Sequence, residues 1–153
     1  MHKITTALLM LTWCMGCNPT QTSLIPPVSD GKATYEQFVQ KNSFPHTISE
    51  QRKMLILDKY NKLQIGMTKQ DVSSLIGDPD FSTYLYTKEY PGEYLGTHWT
   101  YYFKKINPNL TNLKLDLSVN VFFDTADKAH WIVADNIESL AEKKVPRPEG
   151  PKR

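Results

Sequence analysis

One stretch of strict alternation constrains the fold of this chain more than any other feature. Apolar side chains occupy every second position from Leu113 to Phe123, and polar side chains fill most of the positions between them. Because successive side chains of a β-strand point to opposite faces, this pattern predicts a strand with one buried face and one solvated face. On that prediction an aspartate is tolerated at Asn120, on the solvated face, but not at Val121, on the buried face.

Two further strands are predicted beside this one. Trp99, Tyr101 and Phe103 occupy alternate positions in one segment, and residues 129–134 form a short apolar run. The connections are short, which favours antiparallel pairing of consecutive strands. The segment 84–96 is rich in tyrosine, glycine and proline, and it is predicted as a loop or an irregular edge strand.

Two amphipathic helices are predicted before the strands. The first begins at Thr47, which has capping-box spacing to Glu50, and its apolar face carries Ile56, Tyr60 and Leu63. These side chains need an apolar partner surface, and the buried face of the strands is the nearest one in the sequence.

The second predicted helix has clear ends. Thr68 is expected to accept the backbone N–H of Asp71 as the N-cap. Gly77 is expected to end the helix in the left-handed conformation, Pro79 blocks its continuation, and Gly66 permits a sharp turn between the helices. The predicted fold is therefore α+β and two-layered, with two N-terminal helices packed on a three-stranded antiparallel sheet in the order ααβββ.

The N-terminal residues resemble a bacterial export signal. Lys3 precedes an apolar run from Ile4 to Trp13, which is too short to span a bilayer as a helix. Gly16 directly before Cys17 resembles the lipobox at which bacterial lipoproteins are acylated and cleaved. Cys17 is therefore predicted to carry acyl chains that insert in the membrane. The alternative is an ordinary secretory signal with a chance cysteine.

Four segments follow from this interpretation. They are a lipoprotein signal peptide at 1–16, a lipidated tether or arm at 17–46, the α+β domain at 47–140, and a basic, proline-rich tail at 141–153. Within the arm, residues 32–41 fit either a short helix or a partly ordered segment. Asn18, where an aspartate would signal retention, favours the outer membrane, with the domain facing the periplasm.

The ordered set of motifs resembles the SmpA/OmlA (BamE-like) family of small bacterial outer-membrane lipoproteins. The resemblance covers about residues 55 to 134 and includes a G-M-T helix start, an I-G-x-P helix end, a W-x-Y strand and a V-x-F-D strand. The matching structural positions are Gly66, Met67, Thr68, Val72, Gly77, Pro79, Trp99, Tyr101 and Phe123. The interval from Pro79 to Trp99 is longer than in the family and is filled with tyrosines.

This resemblance implies a non-enzymatic accessory or adaptor role in outer-membrane (β-barrel) protein assembly or envelope integrity. The implied partners are outer-membrane or periplasmic proteins, including subunits of the β-barrel assembly machinery. The same helix–helix–sheet plan occurs in inhibitor-like domains. The alternative is therefore a periplasmic binding or inhibitor module that captures an enzyme or a cell-wall component, because a fold alone does not decide function.

Two segments are candidate contact surfaces. Tyr84, Tyr86, Tyr90 and Tyr94 form a tyrosine-rich segment of the kind that often contacts partner proteins, although the rings could instead cover the edge of the sheet. The basic tail is a candidate contact for anionic lipid or peptidoglycan, and the alternative is a solvated tail.

No catalytic, metal or cofactor site is predicted. His46, His98 and His130 lack a third ligand at zinc-site spacing, so they are interpreted as surface residues, and the last two could be neighbours on the polar face. Ser73 and Ser74 lie in a helix without a nucleophile elbow. The net charge of +2 is too small to indicate a nucleic-acid partner.

Overall fold

The computed structural model describes residues 30–88, 92–109 and 115–145, and within them three helices accompany an antiparallel sheet. The elements are α1 (Tyr35–Lys41), β1 (His46–Thr47), α2 (Glu50–Tyr60), α3 (Lys69–Ile76), β2 (Phe81–Tyr86), β3 (Tyr94–Lys105), β4 (Leu117–Phe123), β5 (Ala129–Asp135) and β6 (Lys143–Lys144). The predicted α+β class is confirmed.

The sheet contains six strands, so the prediction of a three-stranded sheet is wrong. The order is β1–β3–β4–β5–β6, and β2 pairs with β3 on the same edge as β1. The three predicted strands form its centre. Two of the others, β1 and β6, escaped prediction because they have two residues each, too few to show alternation. The third, β2, overlaps the segment 84–96 at residues 84–86, where it realises the alternative of an irregular edge strand.

The first face of the sheet packs against α2 and α3 and holds the main core. Its fully buried side chains include Ile56, Tyr60, Leu63, Val72, Ile76, Trp99, Tyr101, Val119, Val121, Phe123 and Ile132. The odd-numbered positions of β3 and β4 thus point toward the helices, as the alternation predicted. Burying each large side chain contributes roughly 1.5–3 kcal/mol, which makes this layer the main source of stability.

The ends of α3 follow the prediction in all but one detail. Thr68 accepts the backbone N–H of Asp71, and the Asp71 carboxylate accepts the backbone N–H of Thr68 in return. Gly77 ends the helix with φ 81° and ψ −177°. The positive φ was predicted, but this ψ lies outside the left-handed helical region, in a region that is essentially restricted to glycine.

The first predicted helix begins two residues later than expected. The N-cap of α2 is Ser49, whose hydroxyl accepts the backbone N–H of Arg52 at 3.3 Å. Thr47 belongs to β1, where its backbone pairs with Lys104 of β3. Because Thr47 is paired in the sheet, it does not cap α2. The Ser49 hydroxyl, the next one along the chain, is the N-cap instead.

The second face of the sheet is partly covered, which contradicts the prediction of a solvated face. Phe38 of α1 packs on Phe81 and Tyr102 at one end of this face. Ser118 and Asn120 of β4 are only 4% and 5% exposed. Polar side chains can be buried in this way because they hydrogen-bond to one another, as the next section describes.

Several boundaries also differ from the sequence prediction. The β4 strand begins at Leu117, and Leu115 is exposed in the preceding turn, while Leu113 lies outside the described residues. Residues 30–46 form α1 and β1 against the sheet, with the helical alternative realised for 35–41. Bends and turns follow β5 through the described residues 136–142.

Candidate functional site

Three of the four predicted tyrosines lie together where β2 and β3 meet their connecting loop. The Tyr84 and Tyr94 ring centroids are 6.2 Å apart, and those of Tyr86 and Tyr94 are 5.9 Å apart. A β-bulge at Leu95 pairs Tyr94 with Tyr86 and so places both on one face. We call these three rings the tyrosine cluster. Tyr90 lies outside the described residues.

The members of the tyrosine cluster differ in exposure. Tyr86 is 43% exposed, and the neighbouring Leu95 is 47% exposed. Tyr84 and Tyr94 are half-buried; the Tyr84 hydroxyl accepts the Asp30 backbone N–H, and the Tyr94 and Thr97 hydroxyls are 3.0 Å apart. Tyr84 and Tyr94 thus cover the sheet edge, while Tyr86 with Leu95 offers an exposed apolar surface.

The N-terminal arm is fastened beside this cluster through Asp30. Its carboxylate accepts the Trp99 indole N–H at 2.9 Å and the Ser82 hydroxyl at 2.8 Å, and Lys69 lies 3.7 Å away. Burial alone would raise the pKa of Asp30, but these hydrogen bonds, one from the Lys32 backbone and the charge of Lys69 hold the pKa below its ordinary value.

A groove of about 580 Å³ lies on the second face of the sheet. Tyr35 and the loop after β3 form one wall, where the Tyr35 hydroxyl donates to the Pro108 carbonyl. Trp131 and Val133 of β5 line the opposite side. We call this hollow the groove. Its volume falls within the range of small-ligand sites.

The floor of the groove is a closed network of polar side chains. Asn120 Nδ2 donates to Asp135 Oδ2 at 2.7 Å and to Ser118 Oγ at 2.9 Å. Asn120 Oδ1 lies 3.0 Å from Thr100 Oγ1 and 2.8 Å from His98 Nε2. All four hydrogen-bonding positions of this amide are therefore occupied, which explains how Asn120 is buried without an unpaired group.

The network assigns the histidine proton. The Asp135 carboxylate only accepts, so the Asn120 amide nitrogen must face it and the amide oxygen must face His98. Since that oxygen also only accepts, His98 Nε2 is the donor and Nδ1 keeps its lone pair. Burial lowers the pKa of His98, against the opposing effects of Asn120 and the Asp135 charge. The ring is therefore neutral at pH 7.

This protonation pattern limits the chemistry of the groove. Thr100 Oγ1 lies 3.2 Å from His98 Nε2, but that nitrogen carries the proton and cannot act as a base toward the hydroxyl. Thr100 instead donates to Asn120, and the Ser118 hydroxyl lies 3.3 Å from Asp135 Oδ2. The arrangement is suited to hold a ligand by hydrogen bonds and ring contacts.

Three rings form a ladder across the sheet at one end of the groove. His98 stacks on Phe122 with centroids 4.3 Å apart, and Phe122 stacks on Trp131 at 4.4 Å. The three residues occupy paired positions on β3, β4 and β5. The Trp131 indole N–H donates to Glu142 at 2.7 Å, which fixes the ring at the rim.

A buried ion pair closes the other end of the groove. Lys105 Nζ lies 2.7 Å from Asp116 Oδ2, and both side chains are almost fully buried. The other Asp116 oxygen accepts the Ile106 backbone N–H at 2.9 Å. The charge of Asp116 is therefore balanced within the protein.

A second hollow of about 630 Å³ lies between α1, β1 and the start of α2. His46 lines it, and its Nε2 is buried with no hydrogen-bond partner among the described residues. Burial raises the pKa of Asp80, although Arg52 lies 3.2 Å away and opposes this effect. Lys41 and Arg52 bring positive charge to this hollow. Arg52, however, is already paired with the Asp80 carboxylate.

The surface interpretation of the histidines is therefore wrong for His98 and for the buried Nε2 of His46. The structure also separates His98 from His130, because β4 lies between the strands that carry them. Within the described residues, no group of three or more histidine, cysteine, aspartate or glutamate side chains is arranged to hold a metal ion.

Sequence analysis missed the groove and its network. One signal was available: the even positions of β3 and β4 hold His98, Thr100, Ser118 and Asn120. A solvated sheet face usually carries long charged side chains, whereas short hydroxyl and amide groups can pair with one another when buried. The contribution of Asp135, from a third strand, had no comparable signal.

Comparisons with protein-family models, with curated proteins and with solved structures find no match for this chain. None of the helices in the described ranges is both long and apolar enough to cross a membrane.

Proposed function

We propose that this protein is a lipid-anchored, non-enzymatic accessory protein of the bacterial outer membrane. It faces the periplasm and acts in β-barrel protein assembly or envelope integrity by docking to partner proteins, with a BamE-like ααβββ core at its centre. The lipobox-like Gly16–Cys17 pair and the ordered motifs from Gly66 to Phe123 support this proposal.

One structural observation supports docking more than any other. Tyr86 and Leu95 expose apolar surface at one end of the β2–β3 pair, and the neighbouring Tyr84 of the tyrosine cluster bonds to Asp30. Thirteen residues, from Asn18 to Asp30, separate Cys17 from the folded domain. Fully extended they reach at most about 45 Å, so a lipid on Cys17 would hold Asp30 within that distance of the membrane. An exposed aromatic anchor of this kind is typical of protein interfaces.

The alternative is a binding or inhibitor module that captures an enzyme or a cell-wall component. The groove favours this second candidate, because it joins a polar floor to aromatic walls at the size of a small-ligand site. The two candidates use different faces of the sheet, so variants can separate them.

In vivo photo-crosslinking distinguishes the two candidates. A benzoylphenylalanine in place of Tyr86 in the full chain should give adducts with outer-membrane assembly subunits. The same group in place of Met54, which is 61% exposed on α2, is the matched control and should not give them. The same group in place of Trp131, at the rim of the groove, should give adducts with a single periplasmic enzyme if the second candidate is right. Equal labelling from the positions of Tyr86 and Met54 would contradict docking through the tyrosine cluster.

A further inference from the structure

The charge of Asp135 is the unusual feature of the groove. Its Oδ2 accepts from Asn120 and lies within reach of the Ser118 hydroxyl, which are both neutral groups. No ion pair joins Asp135 to a cationic side chain within residues 30–88, 92–109 and 115–145. Because Lys105 balances Asp116, the groove keeps one negative charge that the described part of the protein does not neutralise.

Asp135 and His98 each keep one further acceptor position. His98 Nδ1 carries a lone pair, because the network places the proton on Nε2. The Asp135 Oδ1 atom makes no hydrogen bond to the described residues, since the bonds to this side chain end at Oδ2. A ligand that binds at Asp135 is therefore best matched if it donates hydrogen bonds and carries positive charge.

Aromatic rings frame these acceptors. At one end of the groove His98 and Trp131 stack on the two faces of Phe122, so Trp131 is the ring of the ladder that can take a cation on a face. Tyr35 lies at the other end, beside Tyr102, whose ring already faces Lys105 Nζ at 5.5 Å. Aromatic faces attract cations, and the planar guanidinium group stacks on them better than a compact ammonium does. Partial burial of the site strengthens the attraction to Asp135, because the surroundings are less polar than water.

We propose that the groove binds a guanidinium group, held by the Asp135 carboxylate and framed by the aromatic walls. The group could be the side chain of an arginine in a partner polypeptide or a free guanidinium compound, since both present the same donors. The site lies on the opposite face of the sheet from the tyrosine cluster, so it is independent of the docking proposed above.

Titration with methylguanidinium tests this proposal in the ¹⁵N-labelled full chain in detergent micelles. The indole N–H signal of Trp131, at the rim, should move in a saturable way. The Trp99 indole, bonded to Asp30 on the other face, is the internal control and should stay in place. Methylurea has the same shape without the charge, and it should bind at least about tenfold more weakly.

Two matched variants test whether methylguanidinium binding requires the charge of Asp135. Asp135→Asn should weaken methylguanidinium binding at least about tenfold, because a charge-assisted hydrogen bond is lost. Asp127→Asn removes an equal charge at a site that is 58% exposed and paired with Lys69, and it should leave binding unchanged. Tyr86→Ala should also leave it unchanged, which separates this site from the tyrosine cluster.

A comparison of two probes decides the source of the guanidinium. N-acetyl-arginine methylamide should bind more tightly than methylguanidinium if the natural ligand is a polypeptide, and equally if it is a free compound. Three results would overturn the proposal: no saturable shift of Trp131, equal binding of methylurea, or equal loss in the two aspartate variants. The methylurea comparison remains decisive even if Asp135→Asn fails to fold.

Discussion

The Trp99 indole Nε1 donates a 2.9 Å hydrogen bond to Asp30 Oδ2, which ties the N-terminal arm to a buried ring of β3. Asp30→Ala should therefore destabilise the domain by about 1–3 kcal/mol, because it leaves the buried indole N–H without its acceptor. Thermal melts should show a fall of several degrees.

Asp127→Asn is the matched control for this variant, because asparagine tolerates the positive φ of 57° at this position. Asp127 also pairs with Lys69, at 2.8 Å, but it is mostly exposed, so its loss should change stability by less than about 1 kcal/mol. Equal melting temperatures for the two variants would show that the arm contributes nothing to the stability of the domain.

Stability should fall as the pH drops below about 6.5, the ordinary histidine pKa. Burial lowers the pKa of His98 in the folded state, although Asn120 and Asp135 oppose this. The unfolded chain therefore binds more protons in this range, and proton uptake favours unfolding. The loss begins near the unfolded pKa and is complete once the pH has passed through the lower folded pKa.

Chemical denaturation at pH 7.5 and at pH 5 measures this dependence. His98→Gln removes the titrating group and should reduce the difference between the two pH values. Asp30 does not interfere, because its lowered pKa confines its effect to pH below about 4. An unchanged pH dependence in His98→Gln would contradict the assignment of the effect to this ring.

Asn120→Asp tests whether the second face is buried. The substitution replaces the amide nitrogen that donates to Asp135 at 2.7 Å with a carboxylate oxygen, which places two like charges together. We expect a loss of at least about 2 kcal/mol. Asn61→Asp, at the exposed end of α2, is the control and should cost well under about 1 kcal/mol. A small loss of stability in Asn120→Asp would support the solvated face that the sequence predicted.

Asn120 shows which part of the fold could be predicted from the sequence. Alternation around Asn120 correctly identified the strand and the face that meets the helices, because that core arises from a period within one strand. It could not show that the other face is also covered. That cover comes from α1, the loop at Pro108 and Asp135 of another strand, which only the tertiary fold brings together.

The tyrosine cluster illustrates the same limit. Composition indicated a contact surface in the segment 84–96, and it left open whether the rings cover the sheet or face solvent. The bulge at Leu95 decides this, because it sets the side on which Tyr94 lies. Nothing in the local sequence pattern fixes the register between the two strands at that point.

Gly96→Ala should destabilise the domain more than Gly77→Ala. A Cβ on Gly96 would lie 1.9 Å from the Phe123 carbonyl oxygen, and φ is 135°. Strain and overlap together should exceed about 3 kcal/mol. A Cβ on Gly77 meets open space, so only its backbone strain at φ 81° remains, about 1–2 kcal/mol. Urea unfolding measures both, and a larger loss at Gly77 would contradict the close strand approach.

Cys17→Ser should move the protein from the membrane fraction to the soluble periplasmic fraction. Acylation requires the cysteine thiol, and a serine hydroxyl cannot form the thioether that carries the lipid. Several acyl chains, at about 0.8 kcal/mol per buried CH₂, hold a protein on the membrane effectively permanently. Without them the protein should be lost completely from the membrane fraction.

The matched control is Cys14→Ser, which changes a cysteine that the predicted cleavage before Cys17 removes. It should leave both the fractionation and the mass of the mature chain unchanged. Membrane fractionation and mass that do not respond to Cys17→Ser would refute the lipid anchor, whereas equal release by both substitutions would point to a processing defect instead.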